Sequence, residues 1–218
     1  MTRPIKIDFV SDVSCPWCII GLKGLEEALA RVGDLVDADI RFQPFELNPH
    51  MPEEGQDLVE HVAQKYGSTP EQYFERREMI RARAAALGFT IAAGSAAGRV
   101  WNTFDAHRLI YWAGLEGADK QRALKHAVLG AYHTRAENPG SHEVLLRLAG
   151  EVGLDVERAR AILDSDEFTA EVRDRERFWQ ERGISGVPAV VIDGKHLISG
   201  GQPPEVFEQA LRQIAAAA

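Results

Sequence analysis

The sequence predicts an α/β fold: a βαβ unit at the start, a ββα unit at the end, and a large all-helical insertion between them. Three observations predict it. Ile5, Ile7 and Phe9 alternate with polar residues, the period of a half-buried strand. Near the other end, "VPAVVIDGKHLISGG" holds two apolar runs joined by Asp193-Gly194, a strong hairpin signal. From about Leu58 to Arg182 the strand pattern gives way to helical periodicity.

Each element has a local reason. After the first strand, Ser14 or Cys15 caps a helix, and Pro16 falls in its first turn, where a missing N–H costs nothing. Ile19, Leu22, Leu25 and Leu29 form that helix's apolar stripe, which ends near Gly33. Ile40, Phe42 and Phe45 mark the second strand. "PEQYFERREMIRARAAALG" is helical, opened by Pro70 and stopped by Gly88. "GRVWNTFDAHRLIYWAG" reads as a second helix, and four further helical segments follow with short breaks. They have no fixed-period repeat, so the insertion is an irregular bundle rather than a solenoid. "PPEVFEQALRQIAAAA" is a last helix after the hairpin. Neither strand region can build a core alone, so both are expected to share one sheet. Residues 1–57 and 183–218 then form one domain, and residues 58–182 are inserted into it.

Composition narrows the function classes. The chain has 218 residues, 45% of them hydrophobic, enough for a sizeable core. A formal net charge of −8 argues against binding to nucleic acid or to an anionic membrane, since both need a positive field. No apolar run approaches the roughly 20 residues of a membrane span. Lys6 and Asp8 interrupt any signal-peptide core, so a cytoplasmic location is expected. A reducing compartment disfavours structural disulfides, so the two cysteines read as catalytic or metal-binding.

Those cysteines, Cys15 and Cys18, lie in "SDVSCPWCIIG" at the join between the first strand and its helix. The thiolate is the attacking species, and a helix N-terminus presents unpaired N–H donors that favour it. Cys15 at the helix start is the expected nucleophile, and Cys18, one turn deeper, the resolving thiol. Two other readings compete. A zinc site wants four ligands, but there is no second CxxC and no close histidine pair beside this one, so no metal is expected. Two small buried hydrophobes would explain neither the helix-start placement nor Pro16. Val187-Pro188 precedes a strand, where proline is tolerated at the first position. From bond statistics alone it is trans, since cis is only about 5–6% of X-Pro bonds.

Four segments in order, "FVSDVSCPWCIIG", "FQPFELNPHMPEEG", "NTFDAHRL" and "ISGVPAVVIDGKHLISGGQPPEVF", resemble the DsbA-like family of thioredoxin-fold proteins, in its FrnE-type cytoplasmic branch. The resemblance covers nearly the whole chain. It implies a thioredoxin fold and dithiol–disulfide oxidoreductase or isomerase chemistry. It also implies a cis Val187-Pro188 bond facing the CxxC, with Val187 and Pro188 docking the substrate. Protein thiols and disulfides, or glutathione as co-substrate, are the implied partners, with no resident cofactor beyond the cysteine pair. A sister branch, the kappa-class glutathione transferases and 2-hydroxychromene-2-carboxylate isomerases, typically carries serine where this chain has Cys15. A glutathione-dependent transferase or isomerase is therefore the alternative activity.

Five further residues are singled out. Pro16 and Trp17, between the cysteines, are expected to contact substrate, with Trp17 exposed beside the thiols. The resemblance also suggests Asn102 and His107 as lining of the cleft, although five positions apart they do not share one helical face. The insertion, through residues 102–108, is expected to roof the thiols. Asp12, three residues before Cys15, either tunes the thiol or caps a turn. No GxGxxG is present, so no dinucleotide site is indicated.

Overall fold

A computed structural model describes residues 2–93 and 98–217. Strand β1 (Arg3–Ser11) leads into helix α1 (Pro16–Arg31) and strand β2 (Val36–Pro44). At the other end β5 (Ala189–Ile192) and β6 (His196–Ser199) precede α9 (Pro204–Ala216). These four strands form one sheet in the order β2-β1-β5-β6. β1 runs parallel to β2, with Ile7 opposite Ile40, and antiparallel to β5, with Phe9 opposite Val190. The central strand β1 is buried on both faces from Ile7 onward, as a strand flanked on either side must be. The turn into β6 is the one the sequence signals: Asp193 and Gly194 hold φ of 51° and 66°, and the Lys195 N–H donates to Ile192 O. This is a mixed α/β thioredoxin fold.

Between the two halves lie α2 (Leu58–Tyr66), α3 (Pro70–Ala86), α4 (Phe104–Glu116) and α5 (Ala118–Leu129). A π-helical turn (Gly130–Thr134) follows, then α6 (His142–Glu151), α7 (Val156–Leu163) and α8 (Thr169–Glu181). α1 packs against α9, and α4, α5 and α8 pack against β2. Gln121 of α5 covers the outer edge of β2. Its Oε1 accepts from Phe42 N–H at 3.0 Å and its Nε2 donates to Phe42 O at 3.1 Å, as a neighbouring strand would. Ile7 and Phe9 of the sheet share one apolar core with Leu109, Leu124 and Leu145 of the insertion.

Two local expectations fail. The insertion is not wholly helical: β3 (Gln56–Asp57) pairs antiparallel with β4 (Arg99–Val100). A two-residue strand is too short to show alternation, so the sequence carries no trace of it. Accordingly the helix expected from Gly98 begins only at Phe104. Val100 is held in the ribbon, and Asn102 Oδ1 accepts from the Phe104 N–H at 2.9 Å, stopping the helix short of it.

Candidate active site

Cys15 is the N-cap of α1, with extended φ and ψ of −88° and 112°, and Pro16 occupies the first turn. The geometry follows from the local sequence. Proline lacks the N–H that a first turn leaves unpaired, and its fixed φ suits the helix start. Both cysteines are free thiols in this structure. Their environments differ. Cys15 lines a cleft of about 740 Å³, whereas Cys18 is absent from its lining and is 0% exposed. Burial, and then the neighbouring Cys15, push the Cys18 thiol well above its ordinary value.

Val187-Pro188 is cis. The Cys15 thiol donates to Val187 O at 3.5 Å, so the two segments quoted from opposite ends of the sequence meet at the sulfur. Pro188 itself is buried behind Val187. It lies against α1 at Gly21, where an added Cβ would stand 2.9 Å from Pro188 Cγ. Gly24, one turn on, would bring a Cβ to 2.8 Å from Gln202 O. Glycines at these two positions let α1 approach the Pro188 segment and the loop after β6.

Asp12 organises the loop ahead of Cys15. Its carboxylate accepts from Ser14 N–H at 3.1 Å, Ser14 Oγ–H at 2.9 Å and Leu47 N–H at 2.8 Å. His107 Nε2 lies 3.4 Å from Asp12 Oδ1 without hydrogen-bond alignment. Burial alone would raise this carboxyl. His107 and the two N–H donors outweigh it and bring the pKa down to about 2. Asp12 therefore braces the turn, and its charge also lies within reach of the buried groups around Cys18.

The cleft roof comes from α2, α3 and the π-turn. Lys65, Arg76 and Arg77 line it as cations, and Tyr66, Tyr73 and Ile80 add aromatic and apolar surface. Lys65 Nζ donates to Leu47 O and Asn48 Oδ1, both at 2.7 Å. Arg77 donates to Tyr73 Oη at 2.6 Å. Among the described lining residues Glu46 is the one carboxylate, and it is drawn away to Arg173. His133 donates from Nε2 to Val13 O at 2.8 Å. Burial, followed by Arg77, holds it down at about 4, so it is neutral near pH 7. The wall facing Cys15 is thus basic on a chain whose net charge is −8.

The chain belongs to the DSBA-like thioredoxin domain family. That family's model matches residues 6–212. A probable DsbA oxidoreductase from Streptomyces coelicolor is 33% identical, with a TM-score of 0.88 over 98% of this chain and 90% of that one. YwbO, an uncharacterized Bacillus subtilis protein, is 27% identical over 97% of this chain and 96% of its own length. The cytosolic disulfide reductase DsbM of Pseudomonas aeruginosa, solved with GSH, shares the fold. It is 18% identical, with a TM-score of 0.66 over 97% of this chain and 99% of that one. Family membership carries a thiol–disulfide oxidoreductase role in general terms.

Within this DSBA-like domain the expected site residues divide. Cys15, Pro16, Trp17 and Val187 line the cleft together. Trp17 is half-buried rather than exposed, because the Arg83 guanidinium of α3 stacks over its ring at 5.3 Å. Asn102 and His107 are not part of the lining. Asn102 Nδ2 donates to Met51 O at 2.9 Å while its Oδ1 caps α4. His107 is 2% exposed behind Asp12. The insertion does roof the thiols, but through α2 and α3 instead of residues 102–108. The cationic lining was not anticipated, because Lys65, Arg76 and Arg77 sit in sequence stretches that look like any solvated helix face. Among the described residues no group of three His, Cys, Asp or Glu is arranged to hold a metal ion. None of their helices is long and apolar enough to cross a membrane.

Proposed function

We propose that this protein is a dithiol–disulfide oxidoreductase in which Cys15 attacks and Cys18 resolves. One observation carries the assignment: Cys15 lines the cleft and Cys18 is fully buried beneath it. A substrate disulfide reaches only the first sulfur. The Cys15 thiolate attacks one substrate sulfur, a mixed disulfide forms, and the other substrate sulfur leaves as a thiolate. Cys18 then attacks Cys15, the internal disulfide forms, and the remaining substrate thiolate departs. The carrier is the cysteine pair itself, and the reaction needs no resident cofactor. Backbone groups at Val187, beside the Cys15 sulfur, suit an extended peptide or a glutathione arm docking by strand addition.

The basic lining favours an anionic disulfide, and glutathione disulfide has the size and charge to fit it. Protein disulfides with acidic flanks fit the same wall. This use of glutathione parallels the DsbM structure solved with GSH. A glutathione-dependent transferase or isomerase would use the same cleft but has no need of a second sulfur, which Cys18 supplies. A cytoplasmic setting, where glutathione is abundant, belongs to this reading. Trapping tests it. Cys18→Ser should accumulate a mixed disulfide with substrate, and Cys15→Ser should accumulate none. The reverse pattern would exchange the roles, and conjugation of an electrophile to glutathione without disulfide turnover would favour the transferase.

A further inference from the structure

The cleft is rich in donors and short of acceptors. Lys65 and Arg76 line it as exposed cations, and Arg77 donates to Tyr73 Oη and to Ala92 O. Tyr132 Oη donates to Arg99 O at 2.9 Å. Glu46 is drawn to Arg173, and Asn48 Oδ1 already accepts from Lys65. His61 of α2 holds one lone pair. Gln64 Nε2 donates to Glu60 Oε1 at 3.0 Å and Gln56 Nε2 to Gln64 Oε1 at 2.8 Å, so Gln56 Oε1 accepts from His61 Nδ1–H at 2.8 Å. That leaves His61 Nε2 as an acceptor, but on a half-buried side chain that water reaches.

His133 is different. It lines the cleft yet is only 6% exposed. Val13 O can only accept, so the Nε2 that meets it at 2.8 Å carries the ring's proton and Nδ1 bears the lone pair. Among the described residues Nδ1 has no protein partner, and it is not one of their polar atoms sealed from solvent without one. Nδ1 therefore keeps an opening to the cleft. Held at about 4, the ring is neutral near pH 7, so Nδ1 accepts a hydrogen bond and is a feeble base. The backbone is shaped to put the ring there. In an α-helix neighbouring side chains diverge by about 100°. Tyr132 and His133 nevertheless line the same cleft, with ring centroids 4.6 Å apart. Both sit on the π-turn, where Arg135 N–H donates back to Gly130 O at 3.1 Å. Such turns are rare and concentrate at functional sites. The bond to Val13, two residues before Cys15, ties the ring to the loop that carries the nucleophile.

We propose that His133 Nδ1 is the specificity-determining acceptor of the cleft, taking a hydrogen bond from a peptide N–H of the disulfide that Cys15 attacks. The substrate class is then the anionic disulfides of cysteinyl peptides, and simple anionic disulfides are rejected. The inference rests on reading Cys15 as the attacking thiol. Before substrate enters, water meets Nδ1. A substrate with a peptide N–H replaces that bond. A substrate without a donor expels the water and leaves the lone pair unmatched, which forfeits about tenfold or more in rate. The exposed cations hold the carboxylates of either kind, so they select for charge without telling the two apart. At His61 water remains at hand, and an unmatched substrate loses little there.

The test mixes the reduced full-length protein with either of two disulfides of equal net charge. Glutathione disulfide carries peptide N–H groups, and 3,3′-dithiodipropionate carries carboxylates and no N–H. Samples are acid-quenched, and loss of the dithiol form is counted by mass at substrate concentrations well below saturation. Each rate constant is divided by that disulfide's rate constant with dithiothreitol, which removes its intrinsic reactivity. The wild type should then favour glutathione disulfide by about tenfold or more. His133→Phe keeps a ring but has no lone pair, and should bring the ratio close to one. His133→Leu gives the same reading with a smaller side chain. A wild-type ratio near one overturns the proposal without any variant. So does a wild-type ratio in either folded variant, which is what a purely structural ring would give. A Cys15 adduct that never closes to the internal disulfide removes the dithiol reading and leaves this ratio standing, whereas closure with a ratio near one removes this inference alone.

Discussion

Replacing Asp12 by asparagine removes a buried charge while keeping the side chain's shape. In the folded protein this carboxyl lies at about 2 against an ordinary 3.8. Burial works against that value, and His107, Leu47 N–H and Ser14 N–H produce it. A gap of about 1.8 pKa units, at roughly 1.36 kcal/mol per unit, makes the carboxylate worth about 2 kcal/mol of stability. The sign follows from the depression. The contribution is complete above the unfolded value of 3.8 and is lost as pH falls toward about 2. Urea unfolding of wild type and Asp12→Asn, at several pH values, measures it. The variant should be less stable by about 2 kcal/mol at pH 7 and pH 5, and the difference should shrink to about half by pH 3. Glu26 adds its own acid sensitivity, since His126 and Arg122 outweigh burial and hold it at about 2. It is present in both proteins and cancels in the difference. A gap below about 0.5 kcal/mol at pH 7, or one that stays constant from pH 5 to pH 3, would refute the reasoning.

Gly21→Ala should destabilise the protein by about 1–3 kcal/mol in chemical denaturation, despite better helix propensity, because the new Cβ meets Pro188 Cγ at 2.9 Å; a more stable variant would contradict this packing. Arg173 lies between two buried carboxylates, Glu46 and Glu176, that burial already pushes upward. Arg173→Met should cost about 2 kcal/mol near pH 7, a figure reduced because the guanidinium is partly exposed, and should recover on acidification as the carboxyls are neutralised. A loss independent of pH would point to packing alone. Arg76→Glu should lower kcat/KM for glutathione disulfide several-fold while leaving a neutral disulfide such as hydroxyethyl disulfide unchanged. Equal losses on both substrates would dismiss the basic wall as a selector.

Much of the fold was legible because its punctuation is chemical. Pro16 can open a helix and little else at that position, and Asp193-Gly194 supplies the two positive φ angles that the β5–β6 turn adopts. Cys15 and Cys18 were legible for the same reason, since only a helix start places one sulfur in the cleft and the other beneath it. The roof was not. α2 has no buried residue and α3 buries only Ile80 and Ala84; the stripe that α2 does carry, Leu58, Val62 and Tyr66, faces the cleft rather than a core, so it gave no sign of where the helix sits. Charged residues facing a wet cleft look like charged residues facing bulk water. Asn102 and His107 misled because polar residues in the right stretch can equally serve the fold itself: Asn102 is bonded to Met51 O, and His107 is buried beside Asp12.

The central claim is that Cys15 and Cys18 form a two-electron redox couple. The most direct measurement equilibrates the full-length protein across glutathione redox buffers, quenches with acid, and counts the internal disulfide by mass after alkylation of the remaining thiols. Reduced and internally oxidised protein should interconvert in one transition, changing tenfold in ratio for about every 30 mV, as a two-electron couple requires. The oxidised species should carry no glutathione and no alkylated cysteine. Two alkylatable thiols at every poise, or a glutathione adduct on Cys15 that never resolves, would contradict it.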